Sequence, residues 1–152
     1  MINKKVFNLI PDLTLIGSII FAYILNDKFP ITQIIPPPLN TIGTVLSLIS
    51  IAIAIRTISF LRAEQTSTNA SEDPNKFIKT GTFSITRNPI YLAYVLFSLG
   101  VSITFGSFST FIVPIITFCI LNFLIIPFEE KAISRTYGQE YEQYKKSVRR
   151  WI

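Results

Sequence analysis

Residues 89–128 read PIYLAYVLFSLGVSITFGSFSTFIVPIITFCILNFLIIPF and contain no Asp, Glu, Lys or Arg. The pair Gly106-Ser107 divides this stretch into two apolar segments, each within the roughly 17–25 residues that cross a bilayer as a helix. A two-residue turn is too short to hold a domain, so we expect a close antiparallel helical hairpin. Pro89 suits the start of its first helix, where the missing N–H would be unpaired anyway.

Two further apolar segments lie upstream, at residues 9–25 and 39–61, and Pro11-Asp12 is expected to interrupt the first of them. The chain has 152 residues, of which 49% are hydrophobic and only 15% charged, and its mean hydropathy is +0.47. Soluble domains carry about 25% charged residues. The sequence therefore predicts an all-α fold, an integral membrane helical bundle with about four transmembrane helices.

The chain turns amphipathic after Glu129, and we expect a cytoplasmic, interfacial C-terminal helix with Gly138 as a possible break. Its tyrosines are expected to serve in packing or in the interfacial aromatic belt. Arg149 and Arg150 are expected to contact lipid headgroups. We predict one membrane domain, 1–152, divided into a helical pair (1–62), a cytoplasmic connector (63–88), a helical hairpin (89–128) and a C-terminal interfacial helix (129–152).

The basic residues are distributed unevenly along the chain. Lys4 and Lys5, the connector and the C-terminal region carry Lys or Arg, whereas the turns at 26–38 and 106–107 hold one lysine between them. The positive-inside rule therefore predicts a multi-pass protein with both termini, the connector and the active site at the cytoplasmic face. The net charge of +5 fits anionic membrane lipids rather than nucleic acid, because the basic residues flank apolar segments.

Composition also limits the chemistry. The chain has no histidine and a single cysteine, Cys119. We therefore expect no histidine base, no zinc cluster and no other metal site that needs histidine. Neither a Gly-x-x-x-x-Gly-Lys phosphate loop nor a Gly-x-Ser-x-Gly nucleophile elbow is present.

Two polar islands stand beside the apolar hairpin, residues 81–91 and the pair Glu129-Glu130. Acids next to a lipid-embedded segment are costly and tend to face a cavity, a partner or a ligand. Arg87 near a helix N-terminus favours a carboxylate or phosphate, and the glutamates can accept hydrogen bonds from ribose hydroxyls or an ammonium. S-adenosylmethionine carries a carboxylate, an amine and a ribose. The alternative is that Arg87 is a membrane anchor and that the glutamates begin a solvated surface helix.

The motifs in and after these islands resemble those of the isoprenylcysteine carboxyl methyltransferase family, which is similar to the phospholipid methyltransferases. The resemblance extends from Phe77 to Arg150, about half of the chain. It rests on three stretches in order: Thr80–Tyr91, Glu129-Glu130-Lys131, and Tyr137–Arg150 with its pattern Tyr-Gly-x-x-Tyr-x-x-Tyr.

The resemblance implies an S-adenosylmethionine-dependent methyltransferase in the membrane, acting on a lipophilic small molecule or lipid that enters from the bilayer. It places the cofactor pocket mainly within residues 75–150. It implies these cofactor-binding residues: Ile78, Gly81, Phe83, Arg87, Asn88, Pro89, Tyr91, Glu129 and Glu130. We assign no catalytic residue, because a carboxylate, thiolate or free amine acceptor needs no general base.

Two departures from the family pattern bear on the acceptor. Prenylcysteine methyltransferases carry an arginine about one turn before the glutamates, where this chain has the uncharged residues 124–127. We therefore expect an acceptor other than a prenylcysteine carboxylate. Asn122, the strongly polar residue deep in this helix, is predicted either to touch substrate or to make a helix–helix hydrogen bond. Asn88, which replaces a histidine, cannot titrate.

Two other functions are compatible with the sequence. One is an NADPH-dependent membrane reductase of the sterol-reductase type, whose C-terminal motifs are similar. The other is a non-enzymatic membrane scaffold with a degenerate site.

Overall fold

The computed structural model describes residues 4–64 and 77–152, with side chains from Leu9 onward. It contains five α-helices: α1 (Lys4–Lys28), α2 (Thr41–Ala63), α3 (Pro89–Phe105), α4 (Ile112–Ile120) and α5 (Ile126–Ser147). Short 3₁₀ helices occupy Gly81–Ser84 and Phe108–Phe111, and a π-helical segment, Leu121–Ile125, joins α4 to α5. These ranges contain no β-strand, and the predicted all-α fold is confirmed.

Three helical stretches are long and apolar enough to cross a membrane: Leu9–Lys28, Thr41–Ala63 and Phe108–Ser147. The shorter α3 is also apolar. Large aliphatic side chains on α1 and α2 point outward, as they do on a helix that faces lipid tails. The predicted membrane bundle is therefore confirmed in its architecture.

The first helix is longer than the sequence predicts. Pro11 lies inside α1, which continues through it to Lys28. The predicted interruption at Pro11-Asp12 is therefore wrong. A proline within a helix removes one hydrogen bond and bends the helix more often than it ends it. In a bundle, burial of that turn offsets the loss, and Pro11 is buried.

Helix α3 is central, packing most extensively against α2 and also against α1 and α4. The α2–α3 pair is close because Gly43 and Gly100 face each other. A methyl group added to Gly43 would collide with the Gly100 carbonyl and the Thr104 amide. Small residues bring membrane helices together in this way, since lipid provides no hydrophobic force between them.

The hairpin turn lies where the sequence predicts it. Gly106 has a left-handed backbone (φ 71°) and ends α3, with its N–H donating to the Ser102 carbonyl at 2.9 Å. The segment between α1 and α2 covers this turn. There the Ile34 N–H donates to the Gly106 carbonyl at 2.8 Å, and the Phe108 N–H donates to the Thr32 carbonyl at 2.8 Å. The turn thus fixes the far end of the bundle, opposite the two polar islands.

The second helix of the hairpin continues directly into the C-terminal helix. The helical path from α4 passes through the π-helical segment and Pro127 into α5, with no break at the expected boundary of 128/129. The break comes at Gly138, whose backbone is non-helical (φ 48°, ψ −119°), as the sequence indicates. The predicted division of the chain into segments 1–62, 63–88, 89–128 and 129–152 stays a prediction.

Candidate functional site

The two polar islands meet through one carboxylate. Arg87 Nε and Nη2 donate to Glu130 Oε1 at 3.1 and 2.8 Å, and Arg150 Nη2 donates to Glu130 Oε2 at 2.6 Å. We call these three side chains the glutamate node. The node brings the start of α3, the start of α5 and the C-terminal tail (residues 148–152) to the same place. Arg87 and Glu130, predicted as one site, do lie together.

Arg87 is held on its remaining sides by the end of α5 and by the tail. Its Nη1 donates to the carbonyls of Val148 at 2.6 Å and Lys145 at 3.3 Å, and its backbone N–H donates to the Arg149 carbonyl at 3.0 Å. Only 10% of the Arg87 side chain is exposed. The alternative that Arg87 is a surface anchor is therefore wrong.

Asn88, immediately before α3, is buried and also faces the tail. Its Nδ2 donates to the Arg150 carbonyl at 3.1 Å, and Thr86 Oγ1 donates to the same carbonyl at 3.0 Å. The Asn88 N–H donates to Thr86 Oγ1 at 3.2 Å. The amide that replaces histidine in the motif thus fixes the tail against the entrance of α3, where the buried Pro89 begins the helix.

Glu129 has a different environment from Glu130. Its Oε1 accepts a hydrogen bond from the Tyr91 hydroxyl on α3. Its Oε2 has no hydrogen-bond partner within the described ranges 4–64 and 77–152. The Tyr91 ring contacts that of Tyr94 (centroids 6.2 Å apart), and the Tyr94 hydroxyl donates to Asp12 on α1 at 2.9 Å. Glu129 is therefore fixed on one oxygen and available on the other.

Asn122 makes an intramolecular contact, but with the tail rather than with another helix. Its Oδ1 accepts from Trp151 Nε1 at 3.0 Å and from Arg150 Nη1 at 3.3 Å. The Trp151 ring also packs on Phe118, with centroids 5.0 Å apart.

The prediction that Arg150 contacts lipid headgroups omitted its main partners, which are Glu130 and Asn122. Arg150 also places a cation beside the helix in which residues 124–127 are uncharged. Sequence reasoning missed this because the partners are 20 and 28 residues apart and no local pattern links them.

The end of the connector packs against α5. Ile78 is buried, Gly81 has a left-handed backbone (φ 64°) and lies under the Phe60 ring, and the Phe83 carbonyl accepts from the Tyr144 hydroxyl at 2.6 Å. The ring of Phe77 contacts three α5 tyrosines, Tyr137, Tyr141 and Tyr144. Tyr141 and Tyr144 are buried, which confirms the packing role predicted for them.

The predicted site residues therefore lie near the starts of α3 and α5, at the end of the bundle opposite the Gly106 turn. Within the described part of the chain, no group of three or more His, Cys, Asp or Glu side chains could hold a metal ion.

Comparison with protein families shows a match to the phospholipid methyltransferase family over residues 39–140. The chain belongs to this family, and the relationship that its motifs indicate is confirmed. The match reaches upstream through α2, which the motifs alone did not cover. Fold and family together define a membrane methyltransferase, and they give no support to a reductase. Searches of curated proteins and of solved structures found no significant match.

Proposed function

We propose that the protein transfers a methyl group from S-adenosylmethionine to a lipophilic small molecule or lipid at the cytoplasmic face of the membrane. The observation that carries the proposal is the Glu129 carboxylate. It is oriented by Tyr91, has one oxygen without a partner among the residues that the structure describes, and stands beside the ion pair that joins the two motif segments. Family membership supports the reaction class.

The residues present fit this cofactor. A partly buried acceptor oxygen without a partner costs free energy until a donor or a cation reaches it. The ammonium and the ribose hydroxyls of S-adenosylmethionine are such groups, so we assign its binding first to Glu129. Ile78, Gly81, Phe83, Asn88, Pro89 and Tyr91 would form the surrounding wall.

Arg87 and Glu130 have a supporting role in this proposal. Their charged atoms already bind each other, Arg150 and backbone carbonyls, so few are left for a ligand. A paired guanidinium and carboxylate fix both of their segments, and this orients Glu129, the neighbour of Glu130. Asn122 is likewise occupied by the tail, and we assign it no substrate contact.

When bound, S-adenosylmethionine supplies a methyl group activated by a positively charged sulfur. The protein's own residues then have to hold the acceptor atom in line with that methyl and keep water away, which can provide most of the acceleration. An acceptor that arrives as a carboxylate, a thiolate or a free amine needs no general base. This suits a chain without histidine.

The test is transfer of a labelled methyl group. Purified protein is incubated in detergent with methyl-labelled S-adenosylmethionine and a total lipid extract, and the products are identified by mass spectrometry. At a cofactor concentration that does not saturate the wild type, we expect a labelled lipid with the wild type and with Glu142→Gln, a control at an exposed glutamate of the same helix, and at least about tenfold less with Glu129→Gln. Absence of any labelled product with the wild type, or equal labelling by Glu129→Gln, would contradict the proposal.

A further inference from the structure

The π-helical segment determines which side chains of α5 face α3. In this segment the Ile126 N–H donates to the Leu121 carbonyl, five positions back, where an α-helix would bond over four. A π turn therefore contains about one residue more than an α turn. Each residue that follows is rotated by about 100° relative to an uninterrupted α-helix, the angle between neighbouring residues.

This rotation matters because Glu129 and Glu130 are consecutive and have different partners. In the observed register Glu129 accepts from Tyr91, and Glu130 pairs with the arginines of the glutamate node. Without the extra residue, each place on α5 would be taken by the preceding residue. Phe128 would then face Tyr91, and Glu129 would pair with the arginines. The node would still contain a carboxylate, so it does not by itself distinguish the two registers.

The C-terminal tail contacts the π-helical segment where its hydrogen bonding is incomplete. Pro127, which would follow Ile126 as the next donor along the π turn, has no N–H. The carbonyl that it would meet, that of Asn122, is instead 3.5 Å from Arg150 Nη1, which also donates to Asn122 Oδ1 at 3.3 Å. Trp151 Nε1 donates to the same Oδ1 at 3.0 Å. The tail thus supplies donors where Pro127 lacks one.

The tail is in turn fixed to the start of α3. Its three consecutive carbonyls, those of residues 148–150, all accept hydrogen bonds from the motif residues Thr86, Arg87 and Asn88. On the other side, the Trp151 ring packs on Phe118 in α4. The tail therefore joins the start of α3 to the π-helical segment, and the rotation between these two parts decides which residue faces Tyr91.

We infer that the tail fixes the helical register of α5, with Asn122 and Trp151 as positioning residues that maintain the π-helical segment. Single π turns within α-helices are rare and often lie at functional sites. Here the π turn keeps Glu129, rather than Phe128, opposite Tyr91. The inference rests on the proposed function only for the identity of the ligand that Glu129 binds.

The first test measures the register without any cofactor. In a Cys119→Ser background, Tyr91→Cys is combined with either Glu129→Cys or Phe128→Cys. Each protein is treated in detergent with a bis-methanethiosulfonate that has a two-carbon spacer, and cross-linked peptides are identified by mass spectrometry. With the tail contacts intact, we expect the 91–129 pair to cross-link in preference to the 91–128 pair.

Asn122→Leu is then added to both proteins. It keeps a side chain of similar size but removes the oxygen that accepts from Trp151 and Arg150. We expect the preference to shift to the 91–128 pair. The matched control is Phe123→Leu, at the neighbouring exposed position of the same segment, which should leave the preference with the 91–129 pair.

The second test measures S-adenosylhomocysteine binding by calorimetry. Asn122→Leu should weaken it at least about tenfold, because Glu129 no longer presents its charge to the ligand. Trp151→Phe, which keeps the ring and removes only the Nε1 donor, should weaken it less. Deletion of Leu124 removes the extra residue, so an all-α helix would place Glu129 where it is now. The deletion should therefore restore the affinity of Asn122→Leu, a rescue that a merely structural role of Asn122 would not give.

Three results would overturn the inference. One is an unchanged preference for the 91–129 pair in Asn122→Leu. Another is an equal shift in Phe123→Leu, which would show that any change in the segment alters the register. The third is a folded Asn122→Leu protein whose cofactor affinity is not restored by deletion of Leu124. Failure of the wild type to bind S-adenosylhomocysteine would contradict the proposed function instead, and the cross-linking pattern would still decide the register.

Discussion

Among single side chains, Glu129 is the one on which the proposed function depends most. Glu129→Gln keeps the size of the side chain but removes its charge. We expect the affinity for S-adenosylhomocysteine to fall at least about tenfold, because hydrogen bonds to charged groups contribute about 1.5–3 kcal/mol. The melting temperature in detergent should change little. The affinity is measured by calorimetry, with the exposed Glu142→Gln as the control. Unchanged affinity in Glu129→Gln would show that Glu129 does not bind the cofactor.

Tyr91 orients that carboxylate from α3. Tyr91→Phe removes the hydroxyl and keeps the ring, so Glu129 loses the donor that fixes Oε1. We expect the cofactor affinity to fall about tenfold, less than a complete loss, because the charge of Glu129 remains. The matched control is Tyr94→Phe, one turn away, which removes the hydrogen bond to Asp12 and should leave cofactor affinity within about twofold. Equal effects of the two variants would contradict the orienting role of Tyr91.

Among the helices, the close contact between α2 and α3 can be tested by a single substitution. Gly100 faces Gly43 and Ser47 so closely that an added methyl group would overlap them. Gly100→Ala should destabilise the protein by about 1–3 kcal/mol, the usual cost of overpacking. Gly17→Ala in α1 is the control, because no atom lies within 4 Å of the added Cβ. Thermal unfolding in one detergent compares them, and equal melting temperatures would contradict the close helix pair.

The helices themselves could be predicted from sequence more completely than their junctions. Uninterrupted apolar residues and the pair Gly106-Ser107 predict α3 and the hairpin turn, since both depend on local patterns. The π-helical segment could not be predicted, because the local sequence around Asn122 does not show its partners. Trp151 and Arg150 are distant along the chain and donate to Asn122 only in the folded protein. The continuation of α1 through Pro11 could not be predicted for a similar reason. Burial within the bundle, rather than the local sequence, decides whether a proline ends a helix.

For the whole molecule, orientation in the membrane is a prediction that can be checked directly. The positive-inside rule places the C-terminal region in the cytoplasm and the segment between α1 and α2 outside. In a Cys119→Ser background, Thr32→Cys should react with a membrane-impermeant maleimide applied to intact cells. Glu142→Cys should react only after lysis. The opposite pattern would reverse the topology and move the site to the outer face.

The residues of the candidate site could be predicted from the sequence better than the contacts between them. Motif order placed Arg87, Asn88, Tyr91 and the two glutamates at one end of the hairpin, and the structure brings them together. The division of roles between the glutamates was not predictable, because it depends on two distant partners. Tyr91 engages Glu129, whereas Arg150 in the tail engages Glu130.

Binding of S-adenosylmethionine at the candidate site can be measured by calorimetry of the wild-type protein in detergent. S-adenosylhomocysteine and NADPH are titrated separately into the same preparation. We predict saturable binding of S-adenosylhomocysteine with one site per chain and no measurable binding of NADPH. Binding of NADPH without binding of S-adenosylhomocysteine would exclude the proposed cofactor and favour a reductase, and binding of neither would favour a scaffold.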